Sequence, residues 1–287
     1  MRPEKQLTAP QGKRHGPAVP DPSPASDDST NSTARARRWQ QVAAITAGSV
    51  LWIAPRSAHA MHLAEGILPL PWAGLWTAVT LPFVAVALRL YRRRAKSDLF
   101  YRPLVAMVAA AVFLISCMPI PVPTAGTCSH PCGTGLGAIL IGPWMTILVT
   151  VVALLLQALL LAHGGITTLG ADVLSMGVAG AFVGYFAFHG LLRCGASPWL
   201  AAFAAGLLSD WATYSVTALE LASALHGARP FGELFLTVGA AFIPTQVPLG
   251  ILEGVLSAGA VAFLYRRRRD ILERLDVLPA RLIGGAS

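Results

Sequence analysis

The stretch Pro71-Trp-Ala-Gly-Leu-Trp-Thr-Ala-Val-Thr-Leu-Pro-Phe-Val-Ala-Val-Ala-Leu-Arg-Leu90, closed by Tyr91-Arg92-Arg93-Arg94, decides the fold class. It is apolar for about 20 residues, the length an α-helix needs to cross ~30 Å of hydrocarbon. Its basic end reads as cytoplasmic, because Lys and Arg are retained on that side of a membrane. The whole chain agrees. It has 287 residues, of which 54% are hydrophobic and 13% charged, with a mean hydropathy of +0.59. A soluble domain carries about 25% charged residues. The net charge of +8 and pI near 9.9 suit nucleic acid in principle. The basic residues instead cluster before residue 40, at Arg92 to Arg102 and at Arg266 to Arg269, flanking apolar runs. That pattern sets topology, and nucleic-acid binding is set aside.

Downstream, Leu104 to Pro119 forms a second span, stopped by Pro119, Pro121 and Pro123, which lack an amide donor and favour extended backbone. Further spans are expected at Trp144–Leu161, Val173–Leu192, Pro198–Leu219, Phe231–Ile243 and Val247–Tyr265, the last two parted by Pro244 and Pro248. The expected fold is therefore all-α, a polytopic helix bundle of about seven crossings. This register puts the chain end before Pro71 outside and Arg266-Arg267-Arg268-Arg269 inside. It makes Ala162-His163-Gly164-Gly165 a cytoplasmic turn and leaves Arg193 on the side that the basic-residue rule does not choose. The loop Thr124-Ala-Gly-Thr-Cys-Ser-His-Pro-Cys-Gly-Thr-Gly135 has no Lys, Arg, Asp or Glu. Irregular backbone at membrane depth must be buried in protein or line a cavity. Residues 266–287 form a basic cytoplasmic tail, with helical spacing at Ile271, Leu272, Leu275 and Leu278 that suits the inner leaflet. There is no internal repeat.

Upstream, residues 1–34 are rich in Pro, Ser, Asp and Arg without apolar periodicity, and read as disordered. Residues 35–60 resemble a signal peptide: Arg35, Arg37 and Arg38, then an apolar run from Val42 to Ile53, then the small-x-small site Ala58-His59-Ala60. Cleavage after Ala60, or translation starting at Met61, gives the same mature start, and a retained anchor does not. The transmembrane domain is then 61–265.

That start matters chemically. In Met61-His62-Leu63-Ala64-Glu65-Gly66, the freed amine, the His62 amide nitrogen and the His62 imidazole can chelate one cation through adjacent small rings. Nitrogen-rich tetragonal sites suit late first-row divalent ions. His130, in the loop on the same side, is the candidate for a fourth nitrogen. The alternatives are a surface histidine at 62 and a loop histidine satisfied by carbonyls at 130. A free amine titrates near 8 and histidine near 6.5, so binding releases protons and weakens in acid. His163 falls on the opposite side and reads as structural or as a partner contact; His189 and His226 read as structural. Asp210, Glu220 and Glu253 lie in apolar spans, where acids are costly and usually functional, or else pair with one another or with Arg229. Glu65 either orients the chelate or accepts amides at a helix start. For Cys128 and Cys132, packing, a disulfide and soft-metal binding all stay open. No Walker loop, H-E-x-x-H or G-x-S-x-G motif occurs in the sequence.

Met61-His-Leu-Ala-Glu-Gly-Ile-Leu-Pro69 resembles the M-H-x-x-E-G-x-L-P start of the CbiM/NikM family, the substrate-capturing membrane components of energy-coupling-factor transporters for cobalt and nickel. Thr127-Cys-Ser-His-Pro-Cys-Gly-Thr-Gly-Leu-Gly137 is similar to that family's S-H-P-T-G-x-G-L-G segment. Further likeness lies in Gln157 to Gly170, Asp210 to Tyr214, Thr245-Gln-Val-Pro248 and Glu253-Gly254. The resemblance implies that Met61, His62 and His130 bind the metal, with Co2+ as cargo for cobalamin synthesis and Ni2+ as runner-up. It implies no catalytic residue and no resident cofactor. It also implies partners: a small CbiN-like membrane subunit, a coupling CbiQ-like transmembrane subunit and a cytoplasmic CbiO-like ATPase. The expected location is the inner cell membrane, with the mature start outside and the C-terminus inside. Cys132 departs from the family's usual threonine. From other classes, a membrane metal sensor or enzyme is the alternative.

Overall fold

The computed structural model describes residues 59–60, 63, 65–98, 100–118, 120–122, 127–161 and 163–278. The expected disordered extension, the signal-like segment as far as residue 58, and Met61 and His62 lie outside the described residues. Those described belong to one unit, Arg56–Ser287.

Among the described residues, eight helices carry the fold: α1 Leu70–Ser97, α2 Tyr101–Ser116, α3 Thr134–Ile141, α4 Pro143–Leu160, α5 Leu169–Arg193, α6 Pro198–Leu225, α7 Phe231–Arg267 and α8 Arg269–Arg274. Four of them (α1, α4, α5 and α7) are long and apolar enough to cross a membrane, and α2 is a shorter apolar helix. The described residues are otherwise helical or loop apart from three very short strands, β1 His59–Ala60, β2 Ile120–Val122 and β3 Thr127–Ser129. They pair in the order β1-β3-β2, with β1 parallel to β3 and β2 antiparallel. After α2, the segment holding Pro121 thus feeds a small ribbon beside the His130 loop.

The bundle has two distinct ends. At one, Arg94, Asp98, Tyr101, Gly142, His189 and Arg274 line a common cavity of about 620 Å³. At the other, the His130 and His163 rings lie 5.0 Å apart. The chain therefore travels down α3 from His130 to Gly142 and back up α4 to His163. Gly142 makes the reversal possible with φ +78°, a backbone region open to glycine at little cost. This corrects the expected topology. The eight residues of α3 are a short pass that hydropathy alone hides, so His163 faces the same end as His130. Arg193 then turns at the Arg94 end, in keeping with the basic-residue rule. The expected sixth and seventh spans are one 37-residue helix, α7, with Pro244 and Pro248 inside it. Proline in a membrane-type helix is tolerated where neighbouring groups compensate for the lost amide.

Small residues let helices meet closely, the main source of cohesion between apolar helices. A Cβ on Gly206 of α6 would fall 2.6 Å from the Glu253 carbonyl oxygen of α7, and one on Gly254 would fall 2.8 Å from the Phe203 carbonyl oxygen. In α5, residues Val173–Gly180 are π-helical, a local widening that recurs at functional sites. The tail also departs from expectation. Leu272, Val277 and Leu278 are buried in the main core with Val105, Met145 and Phe188, so this segment packs on the bundle instead of lying along a leaflet.

Candidate metal centre

His130 sits between β3 and α3 and is 2% exposed. Its Nδ1 lies 3.1 Å from the Pro131 carbonyl oxygen. A carbonyl oxygen only accepts, so Nδ1 carries the proton and Nε2 the lone pair, the tautomer suited to metal ligation through Nε2. Burial pushes the imidazole down to about 4, helped by the neighbouring His163. The ring is therefore neutral and donor-competent across the physiological range. His163 meets it edge-on, at 62° between ring planes, and burial lowers its pKa too. Sequence parity had separated these two histidines.

The turn carrying His163 is built from the end of α4. The His163 amide donates to the Gln157 carbonyl at 3.2 Å. Gln157 Nε2 donates to the Ser116 carbonyl at 3.1 Å and to its hydroxyl at 2.8 Å, which locks α4 to the end of α2.

Chain flanking Met61-His62 is held at this same end on both sides. Before it, Ala60 pairs with Cys128 in the β1–β3 register. After it, the Leu63 amide donates to Asp172 Oδ1 at 3.0 Å, and the Thr168 hydroxyl donates to the Leu63 carbonyl at 2.5 Å. Leu63, Leu68, Ala73 and Ala171 form a small buried cluster under Trp76. Glu65 is exposed and accepts the Thr167 amide at 3.2 Å, and hydrogen bonds from Thr167 hold its carboxyl below the usual range. Of its two expected roles, it takes that of accepting an amide at a helix start, just ahead of α5, and so staples the chain start to the His163 turn; its relation to Met61-His62 lies outside the described residues. Asp172 and Thr168 escaped the sequence reading. An acidic residue at the head of an apolar span was the available signal for Asp172.

The remaining candidates separate. His189 lies at the opposite end, with Nδ1 3.0 Å from the Tyr185 carbonyl oxygen. Among the acids, Asp210 and Glu253 come together beneath His130, as one of the expected pairings had it. Glu253 accepts the Gly133 amide at 2.7 Å and the Cys132 amide at 3.0 Å. It thereby caps the first turn of α3, where unpaired amides and the helix dipole favour an anion. Glu220 is wholly buried near Asp172 and does not join that group. Cys132 is a buried free thiol, so the disulfide option falls away for it.

A helical bundle rich in apolar helices, with a buried histidine in the loop at one end, defines a multi-pass membrane protein. The comparisons make the assignment specific. Residues 62–271 match the family model described as the cobalt uptake substrate-specific transmembrane region, CbiM. The chain is 67% identical over 227 residues to the cobalt transport protein CbiM of Sorangium cellulosum, covering 79% of this chain and 100% of that one. It is 59% identical over 233 residues to the cobalt transport protein CbiM of Geobacter sulfurreducens, covering 81% of this chain and 67% of the relative. A crystal structure of a truncated transition metal transporter matches with a TM-score of 0.62 at 27% identity, over 72% of this chain and 99% of that one. The chain belongs to the CbiM family.

Proposed function

We propose that this chain is the metal-capturing membrane component of a Co2+ importer of the energy-coupling-factor type. The mature chain begins at Met61, and its amine, the His62 amide and imidazole nitrogens, and His130 Nε2 hold the ion in a nitrogen plane. The observation that carries this reading is the convergence at one end. The chain just after Met61-His62 is anchored beside the paired His130 and His163, through Leu63 to Asp172 and Thr168. The His130 tautomer supports it independently.

The His130 end faces outward and the Arg94 end faces the cytoplasm, in keeping with the basic residues gathered there. The seven passes then begin outside and finish inside. ATP hydrolysis falls to a CbiO-like partner, with CbiQ-like and CbiN-like membrane subunits completing the importer; the absence of a Walker loop in this sequence supports that division. Nickel is the second reading, favoured by a nitrogen-rich donor set that suits Ni2+ as well and by solved relatives described only as transition metal transporters.

Intact mass and amino-terminal sequencing of the membrane-purified protein, followed by Co2+ and Ni2+ competition, test the proposal. A chain starting at Met61 that loses metal binding at the nitrogen site in His62→Ala is the expected result. Full-strength binding by a chain still carrying residues before Met61 would overturn the chelate.

A further inference from the structure

Directly below the His130 loop, Cys132 Sγ, an Asp210 carboxylate oxygen and a Glu253 carboxylate oxygen lie within 4.8 Å of one another, all three residues buried. They arrive from three elements: the loop before α3, the middle of α6 and the middle of α7. Glu253 is fixed by its two amide donors at the head of α3. Asp210 is 0% exposed. Its Oδ1 faces Cys132 Sγ at 4.0 Å. Its Oδ2 receives no hydrogen bond from any amide or hydroxyl among the described residues, and the group it faces is the Glu253 carboxylate. That oxygen is turned toward α7, close enough that a Cβ on Gly250 would sit 3.2 Å from it. The Thr213 and Tyr214 side chains lie beside the Cys132 sulfur, and burial together with the Glu253 and Asp210 carboxylates pushes that thiol well above its usual range, so it keeps its proton until a cation arrives. Asp210 and Glu253 are hydrogen-bonded to each other beside a sulfur, with no basic side chain among their partners in the described residues, and a cation can replace the proton that such a carboxyl pair shares.

We infer that Cys132, Asp210 and Glu253 form a second binding position for a divalent transition-metal ion, deeper in the bundle than the nitrogen site. A thiolate with two carboxylates selects borderline ions such as Co2+, Ni2+ or Zn2+ over Mg2+ and Ca2+, which require six or more oxygens. Metal bonds of about 2.0–2.3 Å set neighbouring donors ~3.3–3.7 Å apart, so the group closes by about 1 Å around an ion. Binding releases the thiol proton and the proton shared by the two carboxyl groups to solvent, and leaves the sulfur and the two carboxylates bonded to the metal. Cys132 is two residues beyond His130, so an ion leaving the nitrogen site passes from imidazole to thiolate along one short loop. The site rests on the transport reading for the identity of its cargo.

The test is an anaerobic Co2+ titration of the reduced, membrane-purified protein, following bound cobalt and the near-ultraviolet thiolate-to-cobalt charge-transfer band. The expected parent binds about two equivalents, one of them with the band. Cys132→Ser loses the band and one equivalent. Asp210→Asn, which keeps side-chain volume, keeps the band but weakens that equivalent roughly tenfold or more. His130→Ala loses the other equivalent and keeps the band. A parent that saturates with cobalt and never develops the band overturns the second site, while leaving the nitrogen site intact. If His130→Ala binds cobalt as the parent does and the band persists, the second site stands and the proposed capture mechanism fails.

Discussion

At the scale of single residues, the fold holds one imidazole neutral and ready. The unfolded chain protonates a histidine near 6.5, whereas buried His130 resists until about 4. Its pKa is lowered by folding, so the metal-free protein loses stability progressively as pH falls from 6.5 to 4, and no further below that from this group. The full loss is about 3 kcal/mol. Thermal melts of metal-free protein across that range should show the decline, and His130→Gln should flatten it; an unchanged slope refutes the assignment. His130→Ala should also lose the nitrogen-site equivalent of Co2+ by equilibrium dialysis without preventing membrane insertion. A second residue-scale prediction concerns Asp172. Asp172→Ala removes the acceptor for the Leu63 amide and should weaken metal binding at least roughly tenfold, as loss of a supporting partner does, with the fold retained by circular dichroism. His130 was legible in the sequence because a charge-free Gly- and Pro-rich loop isolates it. Asp172 was not, because its job is to grip a backbone amide more than 100 residues away, and no local pattern records such a partner.

At the scale of elements, α3 is the piece that sequence periodicity could not find. Eight residues with every position buried carry no amphipathic signal and fall short of a spanning length. Missing it shifted the parity of everything downstream, which is why His163 and Arg193 were expected at the wrong ends. The expected break at Pro244 and Pro248 added a span and restored the parity of the C-terminus, so the total agreed while its parts did not. The head of α3 depends on Glu253. Glu253→Ala leaves the Cys132 and Gly133 amides buried without their acceptor and should cost about 2–4 kcal/mol, read as a lower melting temperature. The α6–α7 seam depends on its small residues. Gly206→Leu drives a side chain into the Glu253 carbonyl and the Ser257 hydroxyl and should destabilise by at least about 1–3 kcal/mol; a variant as stable as the parent would contradict the packing.

For the molecule as a whole, hydropathy and basic clusters were enough to read a polytopic helix bundle, while the order in which chain segments visit each end required the structure. That order is testable with two native thiols. Cys194 is exposed at the turn after Arg193, and Cys117 is half-buried at the opposite end beside Ser116. With Cys128 replaced by serine, a membrane-impermeant maleimide should label Cys117 in intact cells and Cys194 only after the inner face is opened; the reverse pattern sinks the orientation. The tie between Glu253 and the two amides before α3 has a mechanical side. Glu253 belongs to the same unbroken rod that finishes in Arg266 and Arg267, about 20 Å further along at 1.5 Å per residue. Any protein that grips those arginines holds a lever whose far arm is pinned to the His130 loop. Sliding the rod along its axis must either drag that loop with it or tear two buried hydrogen bonds.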